Sequence, residues 1–197
     1  MAKHRIENAT KKTDVKLKKK IWIALQAPAI FNNMEVGETI CERPEQLVGR
    51  NMAINLMTLT NDPKKQNVDV HLKIKSISEG KANTELVGYE LSGAYVKKII
   101  RRSGGKIEDS FPVTTKDNIT FQIKPLLMTK SKTYKSTLNS MRLQVREHIT
   151  QDFKNMDAQT AFLAVIQNKL QKETRESVKK IYPASVCEIR RLELLHH

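Results

Sequence analysis

In two runs of this 197-residue chain, 51–56 and 68–75, large apolar residues fall on every second position. Met52, Ile54 and Leu56 alternate with Asn51, Ala53 and Asn55. After the break Asn61-Asp62-Pro63-Lys64-Lys65 the alternation resumes, with Val68, Val70, Leu72 and Ile74 set against Asp69, His71, Lys73 and Lys75. A period of two sends successive side chains to opposite faces, so these runs predict an antiparallel hairpin with one dry and one wet face. In the last third the period changes. Leu138, Met141, Val145 and Ile149 recur at helical spacing, the pattern extends to Phe153, and Ser136 or Thr137 is available to cap its start. Strands first and helices later predict an α+β fold.

The remaining elements fit that division. Residues 21–31 read as a short strand running into a turn, because Pro28 cannot sit inside a helix. Residues 35–42 give another strand with a bend at Gly37, and 86–91 a further one. Residues 92–102 read as a helix ended by Gly104-Gly105. Two more strands, 107–115 and 119–127, flank Lys116-Asp117-Asn118. Ala161, Leu163, Ala164, Ile166 and Leu170 give a second C-terminal helix behind Asp157 and Thr160. Residues 174–181 give a third, ended by Pro183, and 186–195 a closing strand. The expected architecture is an antiparallel, partly open sheet or barrel core with helices packed on one side. It forms a single domain over 21–197 behind a basic arm, 1–20, that lacks apolar periodicity and reads as disordered.

The positive charge is bunched. The formal net charge is +14. The arm holds Lys3, Arg5, Lys11, Lys12, Lys16, Lys18, Lys19 and Lys20 against only Glu7 and Asp14. A second block, Lys97, Lys98, Arg101, Arg102 and Lys106, brackets Ser103-Gly104-Gly105. A third runs from Asn118 to Arg146 without an acidic residue and carries Lys124, Lys130, Lys132, Lys135, Arg142 and Arg146. Surfaces normally intersperse both signs. Three separated cationic stretches therefore point to a polyanion, and a nucleic-acid backbone is the commonest one, since each Lys or Arg that meets a phosphate releases condensed counterions. On a helix, Lys135, Asn139, Arg142 and Arg146 share one face opposite the Met141/Val145/Ile149 stripe. Tyr134 beside them offers a ring for base stacking, yet aromatics make up only 5% and no RNP signature is present. Recognition of backbone and shape, more than of sequence, is expected.

Other function classes find little support. No P-loop, nucleophile-elbow, HExxH or dinucleotide-binding signature occurs, and no acid/base pair presents itself, so no catalytic residue and no cofactor is expected. Ser103-Gly104-Gly105 is a conceivable phosphate cradle, but a helix-ending turn is the simpler reading. His71 and His148 read as surface imidazoles. Cys41 and Cys187 lie far apart and form no zinc set with His4, His71, His148, His196 and His197, so reduced thiols and no metal are expected. Lys18-Lys19-Lys20 before Ile21 to Leu25 mimics a signal peptide, but Gln26 and Pro28 cut the apolar run short. No stretch approaches the roughly 20 apolar residues of a spanning helix, and no membrane partner is expected.

The residues also carry a family resemblance. Trp22 followed by Ala27-Pro28-Ala29-Ile30-Phe31 and Gly37-Glu38-Thr39, then Leu47-Val48-Gly49-Arg50, resembles the opening of the S-three-A-e family of archaeal and eukaryotic small-subunit ribosomal proteins. Leu86-Val87-Gly88-Tyr89-Glu90-Leu91, Val96-Lys97-Lys98, Val113-Thr114-Thr115-Lys116-Asp117 and Ile181-Tyr182-Pro183 with Val186 and Arg190-Arg191 follow in the same order. The chain resembles the short archaeal form, without the long C-terminal extension of eukaryotic members. The resemblance implies a non-enzymatic, cytoplasmic constituent of the small ribosomal subunit. It would bind ribosomal RNA on the platform, near the messenger exit and the 3′ end of that RNA, beside neighbouring ribosomal proteins and messenger RNA near the exit. The alternative is a free-standing nucleic-acid binder, such as a chromatin protein or RNA chaperone.

Overall fold

Residues 20–78, 80–101 and 104–195 are described by the computed structural model. In chain order the strands are β1 (Ile21–Gln26), β2 (Glu35–Cys41), β3 (Asn51–Asn55), β4 (Val68–Ser78), β5 (Lys81–Leu91), β6 (Lys106–Glu108), β7 (Phe111–Thr114), β8 (Thr120–Thr129) and β9 (Ala184–Leu194). The helices are α1 (Leu56–Thr60), α2 (Gly93–Ile100), α3 (Lys135–Asn155), α4 (Ala158–Ile166) and α5 (Lys169–Lys179).

The alternating runs form the expected hairpin and in the expected register. β3 pairs antiparallel with β4, Met52 opposite Leu72 and Ile54 opposite Val70. Val70, Leu72 and Ile74 are at most 1% exposed, while Asp69, His71 and Lys73 stay partly open to solvent. β4 continues into β5 as a long antiparallel pair. The other edge of β5 is shared. Its start pairs with β1, Leu25 opposite Ala82, and its end with β9, Tyr89 opposite Leu192. β9 pairs with β8, whose outer edge carries β7 and then β6. Among the described residues the outer edges of β3 and β6 remain unpaired, so the sheet is open.

One pairing departs from the antiparallel expectation: β1 and β5 run parallel. Parallel neighbours are joined by long connections rather than by a turn, so nothing local in either segment announces the pairing. Pro125 marks a second irregularity. It cannot donate to the ladder, and the β8–β9 register shifts there, from Lys124 opposite Arg191 to Pro125 opposite Ile189.

Helices cover the sheet through their apolar stripes. Met141, Val145, Ile149 and Phe153 of α3 are buried, and the helix packs on β6, β7 and α5, which in turn packs on β9. Phe121 of β8 meets Phe153 and Phe162 edge-on, with ring centres 6.2 and 5.1 Å away. Such pairs add about 0.5–1.5 kcal/mol each beyond their buried area. A smaller cluster of Ile23, Leu25, Cys41, Leu47, Ile74 and Ala82 anchors the β1–β2 hairpin.

Several boundaries differ from the sequence reading. Leu56 to Thr60 is a helical turn, set off by the Asn55 side chain accepting from the Met57 N–H at 3.0 Å and ended by Asn61 in the left-handed region. Residues 107–115 are two strands, because the chain breaks ladder pairing at Asp109-Ser110. The start of α3 is not capped by Ser136 or Thr137; Lys135 is already helical and Tyr134 holds the cap position without a side-chain bond. Leu170 belongs to α5, since Asn168 at φ 59° ends the preceding helix. The start of α4 is secured from outside: the Asp117 carboxylate, in the turn before β8, accepts the Ala158 N–H at 3.0 Å.

Gly104-Gly105 does not cap α2, which ends at Ile100 with Arg101 right-handed. The glycines serve close approach. The Gly105 N–H donates to Thr129 Oγ1 at 2.6 Å, and its carbonyl accepts from the Thr129 N–H at 2.9 Å. A β-carbon on Gly104 would overlap the Thr129 carbonyl, and one on Gly105 would lie 2.8 Å from Leu138 Cδ2.

Candidate nucleic-acid interface

The Gly105–Thr129 contact decides where the charge gathers. It places the segment after α2, with Lys106 opposite Met128, against the end of β8. Lys130 follows directly, and its N–H donates to the Pro183 carbonyl at 3.1 Å. Ser131 Oγ lies 2.5 Å from the Tyr182 hydroxyl. The second basic block, the third block and the end of α5 thus meet around the last residues of β8, although 50 residues of sequence separate Ser131 from Tyr182.

The sequence-predicted residues divide into distinct environments. Lys97, Lys98 and Arg101 are exposed at the end of α2, where the partial negative charge of a helix C-terminus also favours cations. Lys106 is exposed but held by Glu108 at 2.8 Å. Lys130, Lys132, Tyr134, Lys135 and Arg142 are exposed, and none forms an ion pair with a described residue; Tyr134 is 83% exposed. Arg146 is different. Its guanidinium lies over the Phe111 ring, 5.0 Å from the centre, and its Nε is 3.5 Å from Asp109. It therefore ties α3 to the β6–β7 edge. Lys20 is exposed and directly precedes β1. Lys3, Arg5, Lys11, Lys12, Lys16, Lys18, Lys19, Arg102 and Ser103 lie outside the described residues.

The histidines have carboxylate neighbours. His71 Nε2 is 3.3 Å from Glu90 across the β4–β5 ladder, and His148 Nδ1 is 2.8 Å from Asp152 one helical turn on. The His148 imidazole is only 24% exposed, more covered than the sequence suggests. Burial raises the Asp152 carboxyl above its ordinary range, against the opposing pull of His148. The Glu90 carboxylate is shared with Arg191, whose Nε lies 3.7 Å away. A hollow of about 700 Å³ is lined by Pro28, Ile30, Phe121, Phe162 and Leu194, with none of the sequence-predicted site residues on its wall.

Sequence reasoning missed one component. Lys172, Arg175 and Lys179 stand three and four residues apart on the exposed side of α5, opposite buried Leu170, Thr174 and Val178. In linear order Glu173 and Glu176 hide them as a mixed-charge helix. The signal was the helical spacing, not the local net charge.

The chain matches the Ribosomal S3Ae family over residues 8–197. It belongs to that family. Its role is that of a structural ribosomal protein and not of an enzyme. Relatives named small ribosomal subunit protein eS1 include that of Nanoarchaeum equitans, 31% identical over 177 residues, covering 90% of this chain and 89% of the relative. That of Saccharolobus islandicus is 32% identical over 180 residues, covering 91% and 86%. That of Halorubrum lacusprofundi is 30% identical over 175 residues, covering 89% and 81%. No described helix is long and apolar enough to cross a membrane.

Proposed function

We propose that the chain is a structural constituent of the small ribosomal subunit that binds ribosomal RNA on the platform, near the messenger exit and the 3′ end of that RNA. The supporting observation is the convergence of Lys106, Lys130, Lys132 and Lys135 with the end of α5 around the last residues of β8. Lys130, Lys132 and Lys135, exposed and without an ion pair to a described residue, are suited to phosphate, whereas Lys106 is shared with Glu108. The arm, residues 1–20, adds a second set of cations to the same task. Neighbouring ribosomal proteins and messenger RNA near the exit complete the expected partners, a placement that rests on the family resemblance. Hydroxyl-radical footprinting of small-subunit RNA, with and without the protein, tests it. Protections clustered near the 3′ end are expected; protections confined to other regions would overturn the platform placement.

A further inference from the structure

The cleft between α5 and the start of β9 is lined by cations. Lys130, Lys172, Arg175 and Lys179 line a concavity of about 500 Å³ together with Pro183, and Glu176 is the single acid on its wall. None of the four cations forms an ion pair with a described residue. The Arg175 Nε donates to the Ala184 carbonyl at 3.3 Å, which holds the guanidinium in place while its two terminal nitrogens carry no hydrogen bond to a described residue. A planar guanidinium held by one edge presents the other to a phosphate oxygen pair. Lysines at either side along the helix supply point charges.

We propose that this cleft receives a backbone phosphate of an unpaired RNA strand, with the adjoining ribose or base against Pro183. The inference deepens the proposed ribosomal-RNA reading and rests on it. Two features favour a single strand over a duplex. Duplex phosphates lie on a convex cylinder and meet flat or protruding cations, whereas a recess of this volume admits a nucleotide turned inward. Tyr134, 83% exposed in the segment that runs out from Lys130, also offers a stacking face that only an unstacked base can use.

The test uses the full chain, a fluorescent single-stranded uridine dodecamer and a blunt RNA hairpin. Lys172→Ala with Lys179→Ala should weaken dodecamer binding by about tenfold, and the slope of log K against log salt should fall by about 1.4 for two lost single-strand contacts. Hairpin binding should change by less than about twofold, as expected if the duplex does not enter the recess. Glu176→Gln should tighten the dodecamer, a gain that misfolding cannot mimic. Equal losses for both probes would overturn the single-strand assignment. Unchanged binding of both, in a wild type that does bind RNA, would exclude the cleft while leaving the wider reading intact. Tighter binding of a hexaglutamate peptide than of the dodecamer would make an acidic protein segment the occupant. Wild type that binds neither RNA would remove the wider reading as well.

Discussion

Replacing Arg146 with alanine should lower stability more than RNA affinity, the reverse of what Arg142→Ala should do. The sequence puts both on one cationic helix face, but the structure separates them. The Arg146 guanidinium lies 5.0 Å from the centre of the Phe111 ring and its Nε 3.5 Å from Asp109, with the side chain half-exposed. A cation–π contact at such a site contributes about 0.5–1 kcal/mol, and a partly exposed ion pair about 0–1. The variant should lose about 0.5–2 kcal/mol, a drop of roughly 1–8 °C in melting temperature for a chain near 200 residues. Arg142 makes no ion pair with a described residue, so Arg142→Ala should stay within about 0.5 kcal/mol of wild type. Its RNA salt slope should fall by roughly 0.7–0.9. Calorimetry and salt-titrated RNA binding on both variants are the assay, with Phe111→Leu closing a double-mutant cycle on Arg146. Equal melting temperatures combined with equal losses of RNA affinity would refute the division.

Three further outcomes follow from the core and its edges. Leu72→Ala should cost about 2–5 kcal/mol, because Leu72 is 1% exposed, while Lys73→Ala should stay within about 0.5 kcal/mol; urea melts check both. Gly104→Ala should destabilise by more than about 1 kcal/mol and shift the Gly105 and Thr129 amide resonances, because the new β-carbon meets a backbone carbonyl that cannot yield like a side chain. Burial lifts the Glu188 carboxyl above its ordinary 4.5, so the folded state holds that proton more tightly than the unfolded state. Glu188→Gln should accordingly raise stability at neutral pH, and the gain should fade as pH falls through the raised value towards 4.5, as read from melts across that range.

Local pattern reached as far as local physics does. The strand register at Val70, Leu72 and Ile74 was legible because one face of β4 is wet, and the α3 stripe because four consecutive turns repeat it. The α1 turn was not, since Leu56 fits both the strand alternation and a helical turn with Leu59, and a single Asn55 cap decides where the strand gives way. The β1–β5 pairing joins residues about 57 apart in sequence and leaves no mark in either segment. At the candidate interface the third basic block was visible as a run without acids. Its union with Lys106 and with the cations of α5 was not, because it depends on Gly105 meeting Thr129 and Lys130 meeting Pro183. Arg146 was visible as a cation, but its engagement with Phe111 and Asp109 depends on how α3 lies across β6 and β7.

The central claim is that this basic surface holds the chain on the small ribosomal subunit, and its most direct test is sedimentation in a sucrose gradient after a high-salt wash. The chain should track the small subunit. A variant with Lys130, Lys132, Lys135, Lys172 and Lys179 all changed to alanine, and folded by its melt, should move to the top of the gradient. Wild type found at the top with free protein, or with DNA instead of the small subunit, would contradict the account.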